Sequence, residues 1–406
     1  MSSEEETQSL KKRIQARIEE LMPELSELSD DIFAHPEIRF QEHHAVAAIT
    51  DVLRRHDIEV EVGVADLPTA FVARVPGHQS GQRVGILAEY DALPEIGHAC
   101  GHNLIGTSAV GAFLALVTFA DELDGAVTLF GSPAEEGGAG KVIMMENDVF
   151  DGVGAAMMTH PIHTGTNVDT PFLAAGSVVF QFHGKPSHAA AAPEQGINAV
   201  DAMVMTYVGV NGLRQRVPKD IVISSMITNG GSAVNVIPDF AEIRYGIRAD
   251  KWQRVEEVIE QVIRVAEGSA AAIGATVTVL KGRQNARPQF PYATEDKQNE
   301  ALKRIFRENL DRAGVAHVPY SPDMGKGSTD FANLSQEIPG MHLMLNLEGT
   351  NGHAPHTVEF AQAAGSEHGR RWLREAATVM AFSAVDILNT SGALEAVRAS
   401  FAEVSD

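Results

Sequence analysis

The chain lacks the residues that several classes of protein require. Its 406 residues include one cysteine, so no intramolecular disulfide can form, and this favours a reducing compartment. Basic residues are also scarce, because 32 Lys and Arg face 54 Asp and Glu for a formal net charge of -22. Phosphate groups repel such a surface. We therefore expect neither nucleic acid nor an anionic membrane as a partner.

Long hydrophobic runs are absent as well. The most apolar segment, residues 104–120, is interrupted by Gly106 and Gly111 and is shorter than the roughly 20 residues of a membrane-spanning helix. This segment predicts a buried helix instead. The first six residues are polar and acidic and lack the basic and apolar regions of a signal peptide. We expect a cytoplasmic protein.

The apolar pattern predicts an α/β domain. Apolar residues recur every three or four positions over residues 10–34, and residues 45–55 continue as a second helix. Short β-type runs then alternate with helical stretches, which favours a mixed, mostly parallel sheet covered by helices. The predicted strands are residues 70–75, 84–88, 127–130 and 155–158.

The pattern changes after residue 169 and predicts an inserted domain. Its elements follow the order β-α-β-β-α-β of a ferredoxin-like α+β module. They are residues 177–183, 196–213, 221–228, 240–248, 252–272 and 276–280. Beyond a charged stretch at 281–291, a helix at 296–313, a strand at 341–347 and a helix at 358–388 can complete the first sheet. The predicted domains are residues 1–174 with 287–406, and the insertion 175–286.

Two short segments carry the residues that suggest chemistry. Cys100 and His102 lie just before the predicted buried helix, and Glu135 and Glu136 lie in a glycine-rich loop after a strand, where α/β enzymes present catalytic groups. Amide hydrolysis needs an activated water, a general base and positive charge facing the oxyanion. Two divalent metals can supply the first and the third. The segments therefore suggest a metallohydrolase.

The candidate metal ligands combine a thiolate, imidazoles and a carboxylate. They are Cys100, His102, one of Glu135 and Glu136, His160, and either His353 or His356. Adjacent carboxylates point in different directions, so one can bind metal while the other acts as base. Taken singly, the cysteine is more typical of a core, and the glutamate pair is as typical of a solvated turn as of a site. Their joint occurrence favours a site.

Seven short motifs carry a family resemblance. They are EYDALP at 89–94, ACGH at 99–102, PAEEG at 133–137, HP at 160–161, GKPSHA at 184–189, GGSAVNVIP at 230–238 and STDF at 328–331. Through them nearly the whole chain resembles the dinuclear metallopeptidases of the aminoacylase and glutamate-carboxypeptidase clan. The resemblance is to the branch of hippurate, indole-acetyl-amino-acid and p-aminobenzoyl-glutamate hydrolases.

The resemblance implies a role for each candidate residue. Glu135 would be the general base, and Asp91 would orient a ligand histidine. The two metals, zinc or manganese with cobalt as a further candidate, would be held by Cys100, His102, Glu136, His160 and His356. His356 is chosen because HTVEF is similar to the segment that opens the family's last helix, while His353 stays open.

The inserted domain resembles the family's lid and dimerisation domain, which implies a homodimer. His188 and Asn235 match residues that approach the substrate, often across the dimer, and help to hold the oxyanion. Arg248 is similar to an arginine that can receive a substrate carboxylate through two hydrogen bonds. Its alternative role is a surface charge at the end of a strand.

Two departures from the family pattern bear on the substrate. Many members read DMDALP and CGHD, whereas this chain has Glu89, Tyr90 and Asn103 at the differing positions. These variants resemble p-aminobenzoyl-glutamate hydrolases and dipeptidases that act on β-alanyl or basic dipeptides. We expect a metal-dependent hydrolase of an N-acyl amino acid, a p-aminobenzoyl-glutamate-like compound or a small dipeptide. The alternatives are a cysteine-nucleophile hydrolase using Cys100 with His102, and a non-catalytic binding homologue.

Overall fold

The computed structural model describes residues 4–75, 82–281 and 292–404, and the chain divides into two compact units. The first unit comprises Met1–Pro171 and Asp296–Asp406, and the second comprises Phe172–Glu295. The predicted boundary at 174/175 therefore lies three residues after the observed one. The predicted boundary at 286/287 lies outside the described residues.

The described residues form twelve strands and eleven α-helices. The strands are β1 (Glu59–Val62), β2 (Phe71–Arg74), β3 (Gln82–Ala88), β4 (Gly125–Gly131), β5 (Ala155–Ile162), β6 (Ala174–His183), β7 (Ser187–His188), β8 (Val222–Asn229), β9 (Val236–Ile237), β10 (Phe240–Ala249), β11 (Thr276–Lys281) and β12 (Gly340–Asn346). The helices are α1 (Glu4–Ala34), α2 (His43–Arg55), α3 (His102–Val117), α4 (Gly140–Glu146), α5 (Ala199–Leu213), α6 (Trp252–Ala272), α7 (Glu300–Ala313), α8 (Phe331–Glu337), α9 (Val358–Ala364), α10 (Glu367–Asn389) and α11 (Ala393–Glu403).

The first unit contains a six-stranded sheet in the order β1-β2-β4-β3-β5-β12. The four strands from β4 to β12 run parallel, and β1 and β2 add an antiparallel edge. Helix α3 is apolar around most of its circumference and buried along almost its whole length, as a core helix of such a fold must be. It packs between α1, α10 and the sheet. The predicted mixed, mostly parallel sheet covered by helices is confirmed.

The second unit contains a four-stranded antiparallel sheet in the order β11-β6-β10-β8. Along β10, Ala241, Ile243, Tyr245 and Ile247 alternate with more exposed residues and are buried under α5 and α6. This period of two is that of a strand with one covered face. The strand order and directions are those of the predicted ferredoxin-like module.

One predicted helix is wrong in its length. Residues 358–388 form α9 and α10 rather than a single helix, because the Ser366 hydroxyl accepts a hydrogen bond from the backbone N–H of His368 at 3.1 Å and caps a new helix. The short helices α4 and α8 were not predicted. Each has seven residues, which is too few to show a helical period.

Among the described residues no single helix has the length and apolar character needed to cross a membrane. Within the described residues, only α10 and α11 taken together reach that length and apolar character, and these two helices are bent by 98° relative to each other.

Candidate active site

The candidate site lies at the carboxyl ends of the parallel strands of the first unit. Strand β3 leads into Glu89 and Asp91, β4 leads into Glu135 and Glu136, and His160 lies near the carboxyl end of β5. His102 is the first residue of α3. Ligands of open α/β sheets bind at this edge. The fold therefore gathers motifs that are far apart in the sequence.

A glycine lets two candidate ligands face the same point. Gly101 has φ +79°, and a Cβ there would lie 2.6 Å from Cγ of Pro161. A residue other than glycine would suffer both a strained backbone and a clash. With glycine, the ligand atoms of Cys100, His102 and His160 all lie within 4.8 Å of one another.

The candidate ligands form overlapping groups. Besides the group just given, the ligand atoms of Cys100, Glu136 and His356 lie within 4.8 Å of one another, as do those of His102, Glu135 and Glu136. Sγ of Cys100 lies 3.3 Å from Nε2 of His160, and Oε1 of Glu136 lies 3.1 Å from Nε2 of His356. Because Cys100 and Glu136 each belong to two groups, the structure brings all five predicted ligands together around adjacent positions.

The surroundings of His102 fit a bound cation. Its Nδ1 lies 3.0 Å from Oδ1 of Asp91, which is how a carboxylate orients a metal-bound histidine. Its buried Nε2 has no hydrogen-bond partner among the described residues. Burial opposes a charge on the ring, yet Asp91 and Cys100 raise the pKa of His102 well above its usual range. The site thus favours positive charge at a point surrounded by soft and borderline donors, which suits a divalent metal.

The structure distinguishes the two C-terminal histidines. His356 lies beside Glu136, and its backbone N–H donates to the carbonyl of Ala99 at 2.9 Å with φ at +68°. Both side chains are about half exposed, but Nδ1 of His353 lies 3.8 Å from Oε2 of Glu359 instead. Burial opposes ionisation of Glu136, but the hydrogen bond to His356 and the charge of His102 hold its pKa below the usual range. Glu136 therefore has the charge state of a metal ligand.

Its neighbour Glu135 is in a different electrostatic environment. A carboxylate oxygen of Glu135 lies within 4.8 Å of carboxylate oxygens of Glu89 and Asp330. Burial, Glu89 and Glu136 together raise the pKa of Glu135 well above its usual range. Pairs of carboxyl groups with opposite pKa shifts are typical of acid–base sites. Of the two adjacent glutamates, Glu135 has the environment of a proton-transfer group.

His160 is accompanied by a histidine that sequence reasoning missed. Burial and the charge of His102 lower the pKa of His160 to about 4, so its ring is neutral, as a metal ligand must be. The ring of His342, on β12, has its centroid 5.6 Å from that of His160. Burial and His160 lower the pKa of His342 well below its usual range. Nothing in the sequence around His342 indicated this position.

Lys141 was also missed, and it lies at the centre of a buried ionic cluster. Its Nζ is 2.5 Å from Oε1 of Glu89 and 2.6 Å from Oδ1 of Asp330. The backbone N–H of Lys141 donates to Oδ2 of Asp330 at 3.0 Å. Burial opposes the ammonium charge, but Asp330 and Glu89 raise the pKa of Lys141. The available signal was a lysine within the apolar run that opens α4, next to a carboxylate-rich loop.

A third missed feature is the segment before α2, which contacts the loop of the two glutamates. Oε1 of the fully buried Glu42 accepts a hydrogen bond from the backbone N–H of Ala134 at 3.0 Å, and Ala134 has φ +61°. Nη1 of Arg39 donates to the carbonyl of Gly137 at 3.1 Å. Burial and Asp91 raise the pKa of Glu42 to about 7. This segment thus fixes the backbone on both sides of Glu135 and Glu136.

The remaining predicted residues lie in the second unit and are exposed. His188 and Asn235 are neighbours, because the backbone N–H of Ala189 donates to the carbonyl of Asn235 at 3.0 Å. Nδ1 of His188 accepts hydrogen bonds from the N–H groups of Ala190 and Ala191 at 3.2 and 3.1 Å. Since Nδ1 is an acceptor, the neutral ring carries its proton on Nε2. Arg248 lies separately, on β10.

Known proteins resemble the chain over most of its length. Residues 85–378 match peptidase family M20/M25/M40. The Xaa-Arg dipeptidase of Mus musculus is 33% identical over 414 residues, covering 98% of this chain and 94% of that protein. One of the subunits of p-aminobenzoyl-glutamate hydrolase from Escherichia coli (strain K12) is 34% identical over 272 residues, covering 62% of this chain and 56% of that protein. The crystal structure of a Bacillus subtilis dinuclear metal binding peptidase from the M20 family superposes with a TM-score of 0.65 at 26% identity, covering 92% of this chain and 99% of that one. The chain therefore belongs to peptidase family M20 and is a metal-dependent hydrolase.

Proposed function

We propose that the protein hydrolyses the amide bond of a small dipeptide or an N-acyl amino acid at a site that binds two divalent metals. The observation that carries this proposal is the cluster of five predicted ligands, in which Glu135 lies beside His102 and Glu136. Similarity to an Xaa-Arg dipeptidase over 98% of the chain makes dipeptides with a basic C-terminal residue the first substrate class. p-Aminobenzoyl-glutamate-like compounds come second, because the similarity to that hydrolase covers 62% of the chain.

The two metals would be held by the five ligands of the overlapping groups, in which Cys100 and Glu136 each belong to two groups. The thiolate favours zinc, while the nitrogen and oxygen donors also admit manganese or cobalt. When bound, such ions activate a water molecule and polarise the scissile carbonyl. Burial and Glu136 raise the pKa of the Cys100 thiol well above its usual range, so the proton on the thiol must leave as metal binds.

Glu135 is the general base in this proposal. Its raised pKa lets it accept a proton from the attacking water and then return that proton to the leaving amine. Asp91 positions His102 through the 3.0 Å contact with Nδ1. Lys141 holds the carboxyl groups of Glu89 and Asp330 in place beside the base through its two ion pairs. The chain thus supplies both the proton transfer and the rigid surroundings that it needs.

Residues of the second unit would bind the substrate. The N–H at Nε2 of His188 is a donor suited to an oxyanion, since Nδ1 already accepts two backbone hydrogen bonds. The side-chain amide of the neighbouring Asn235 would be a second donor. The exposed guanidinium of Arg248 suits a substrate carboxylate, which it can bind through two parallel hydrogen bonds.

We propose further that the second unit mediates a homodimer. Strand β8 is at the edge of its sheet and exposes Met226 by 55% and Ile227 by 52%. On α5, Val208 is 63% exposed, next to the exposed Tyr207. An unpaired strand edge flanked by exposed apolar side chains is typical of an association surface. A second copy of the chain is the partner that the family resemblance implies.

The test is product detection by mass spectrometry with zinc- or manganese-loaded protein. The panel contains Xaa-Arg and Xaa-Lys dipeptides, β-alanyl dipeptides, p-aminobenzoyl-glutamate and N-acyl amino acids. Glu135→Ala should lower kcat by about 10²- to 10⁴-fold, the usual contribution of a general base, while it keeps its metal content. Glu146→Ala, at an exposed position at the end of α4, is the matched control. Full activity of Glu135→Ala would show that the base is assigned wrongly.

The cysteine-nucleophile alternative makes the opposite prediction for chelation. A reactive cysteine needs a lowered pKa, whereas burial and Glu136 raise the pKa of the Cys100 thiol even with His102 beside it. We expect a chelator to abolish activity and added zinc or manganese to restore it. Activity that resists chelation but is lost on alkylation would favour the cysteine mechanism. Absence of any product with metal-loaded protein would favour the non-catalytic homologue.

A further inference from the structure

A second group of metal-ligand side chains lies in the first unit and shares no residue with the candidate active site. It consists of Asp31 and His35 at the end of α1 and His44 at the start of α2. One ligand atom from each lies within 4.8 Å of the other two. None of the seven sequence motifs includes these residues. The group therefore has no task in the proposed reaction.

The distances within this group fit a transition metal. Nε2 of His44 lies 2.8 Å from Oδ2 of Asp31, and Nδ1 of His35 lies 3.2 Å from Oδ1. The two imidazole rings are neighbours, with centroids 4.1 Å apart. Ligand atoms of a tetrahedral zinc site, at bonds of about 2.0–2.1 Å, lie about 3.3 Å from one another. The spacing of the three side chains is therefore compatible with a zinc site.

The backbone around the group is already fixed. Asp31 lies in the last turn of α1 and His35 directly follows the helix, and Nδ1 of His35 also lies 2.8 Å from the carbonyl oxygen of Asp31. The carboxylate of Glu37 accepts hydrogen bonds from the backbone N–H of His44 at 2.8 Å and of Ala45 at 3.1 Å. The side chains of the three candidate ligands are 40–55% exposed. Solvent can therefore reach the ion and complete its coordination.

A simple surface ion pair does not require this arrangement. Elsewhere in the first unit, the carboxylate of Glu24 contacts a single imidazole, that of His56, at 2.7 Å. At Asp31 two imidazoles converge on one carboxylate, and two histidines with one carboxylate are a common ligand set for zinc. We propose that Asp31, His35 and His44 form a third metal site, which binds Zn²⁺ independently of the candidate active site.

Metal at this site would join the end of α1 to the start of α2. The residues between them form the segment whose Arg39 and Glu42 contact the loop of Glu135 and Glu136. Zinc at the third site should therefore slow amide hydrogen exchange in residues 35–45. It should also raise the unfolding midpoint, as any ligand that binds only the folded state does.

The experiment counts metal rather than activity. Zn²⁺ is titrated by calorimetry into protein already loaded at the active site, and bound zinc is measured by mass spectrometry after gel filtration. Wild-type protein should bind one equivalent more than His44→Ala and one more than His35→Ala. His43→Ala, an exposed histidine adjacent to His44, should bind as much as wild type.

Asp31→Asn keeps the shape of the side chain but removes its charge. It should therefore weaken the binding of the third zinc equivalent without unfolding the protein. Circular dichroism of the metal-free variants checks that each one is folded. Equal zinc content in wild type, His35→Ala and His44→Ala would overturn the proposal. Loss of the equivalent in His43→Ala, or unchanged hydrogen exchange in residues 35–45 on zinc binding, would also contradict it. The result is a difference of one zinc equivalent, so it does not depend on whether the active site hydrolyses any substrate.

Discussion

Replacing Lys141 should destabilise the first unit more than any exposed substitution. The ammonium of Lys141 lies 2.5 Å from Glu89 and 2.6 Å from Asp330, and the side chains of the three residues are at most 3% exposed. Lys141→Met nearly preserves side-chain length, so little cavity is created, but it leaves two buried carboxylates without their cation. Removing one partner of a buried pair costs about 3–5 kcal/mol. With two carboxylates affected, we expect the upper end of that range.

Urea unfolding followed by tryptophan fluorescence measures this loss. The chain has two tryptophans, and Trp372 is buried in the first unit while Trp252 belongs to the second. A Trp252→Phe background therefore reports on the first unit alone. The control Lys12→Met, at an exposed position on α1, should change stability by no more than about 0.5 kcal/mol. A loss below about 1 kcal/mol for Lys141→Met would refute the view that Lys141 balances two buried carboxyl groups.

The pH dependence of the same variant tests the cause of the loss. Burial and Glu89 already raise the pKa of Asp330 even with Lys141 present, and removal of the ammonium raises it further. The folded variant then holds more protons than the unfolded chain, so its stability falls as pH rises. The difference between Lys141→Met and wild type should therefore be larger at about pH 8 than at about pH 5. Adding Asp330→Asn to Lys141→Met should recover part of the loss.

Three further predictions concern the site and the second unit. Asp91→Asn should weaken metal binding by about 10- to 100-fold, because His102 loses the carboxylate that orients it, and competition with a chelator measures this. The pKa of Glu42 is raised from 4.5 to about 7, so wild type should lose up to about 3 kcal/mol as pH rises through that interval. Glu42→Gln keeps the acceptor oxygen for Ala134, so its free energy of unfolding, measured in urea at several pH values, should not show this loss. A pH dependence equal to that of wild type would contradict the assignment. Val208→Asp should shift the protein to monomers in light scattering with its metal content intact.

The architecture of the two sheets could be predicted from the sequence because its apolar residues recur with regular periods. Alternating short strands and helices imply a parallel sheet, and a parallel sheet brings the carboxyl ends of its strands to one edge. Glu135 and His160 are far apart in sequence, yet each follows or ends an apolar strand run. Their meeting could therefore be predicted from topology combined with the motifs.

Contacts that depend on single backbone angles could not be predicted. His353 and His356 are three residues apart in the loop before α9, and in the sequence only the resemblance of HTVEF to a family segment favours His356. The left-handed φ of His356 and its N–H bond to Ala99 direct it towards Glu136. The partners of Lys141 could not be predicted either, because Asp330 is 189 residues away in the sequence. Spacing along the chain does not reveal which carboxylate a buried lysine meets.

The strained residues of the site have an explanation in these missed contacts. Ala134 and His356 are non-glycine residues with φ of +61° and +68°, conformations that cost about 1–3 kcal/mol and persist only when the surroundings enforce them. Glu42 holds the N–H of Ala134, and the carbonyl of Ala99 holds the N–H of His356. Ala134 directly precedes Glu135, and His356 contacts Glu136. Glu42 and Lys141, which none of the seven motifs includes, therefore contact the motif residues and hold their backbone and side chains in place.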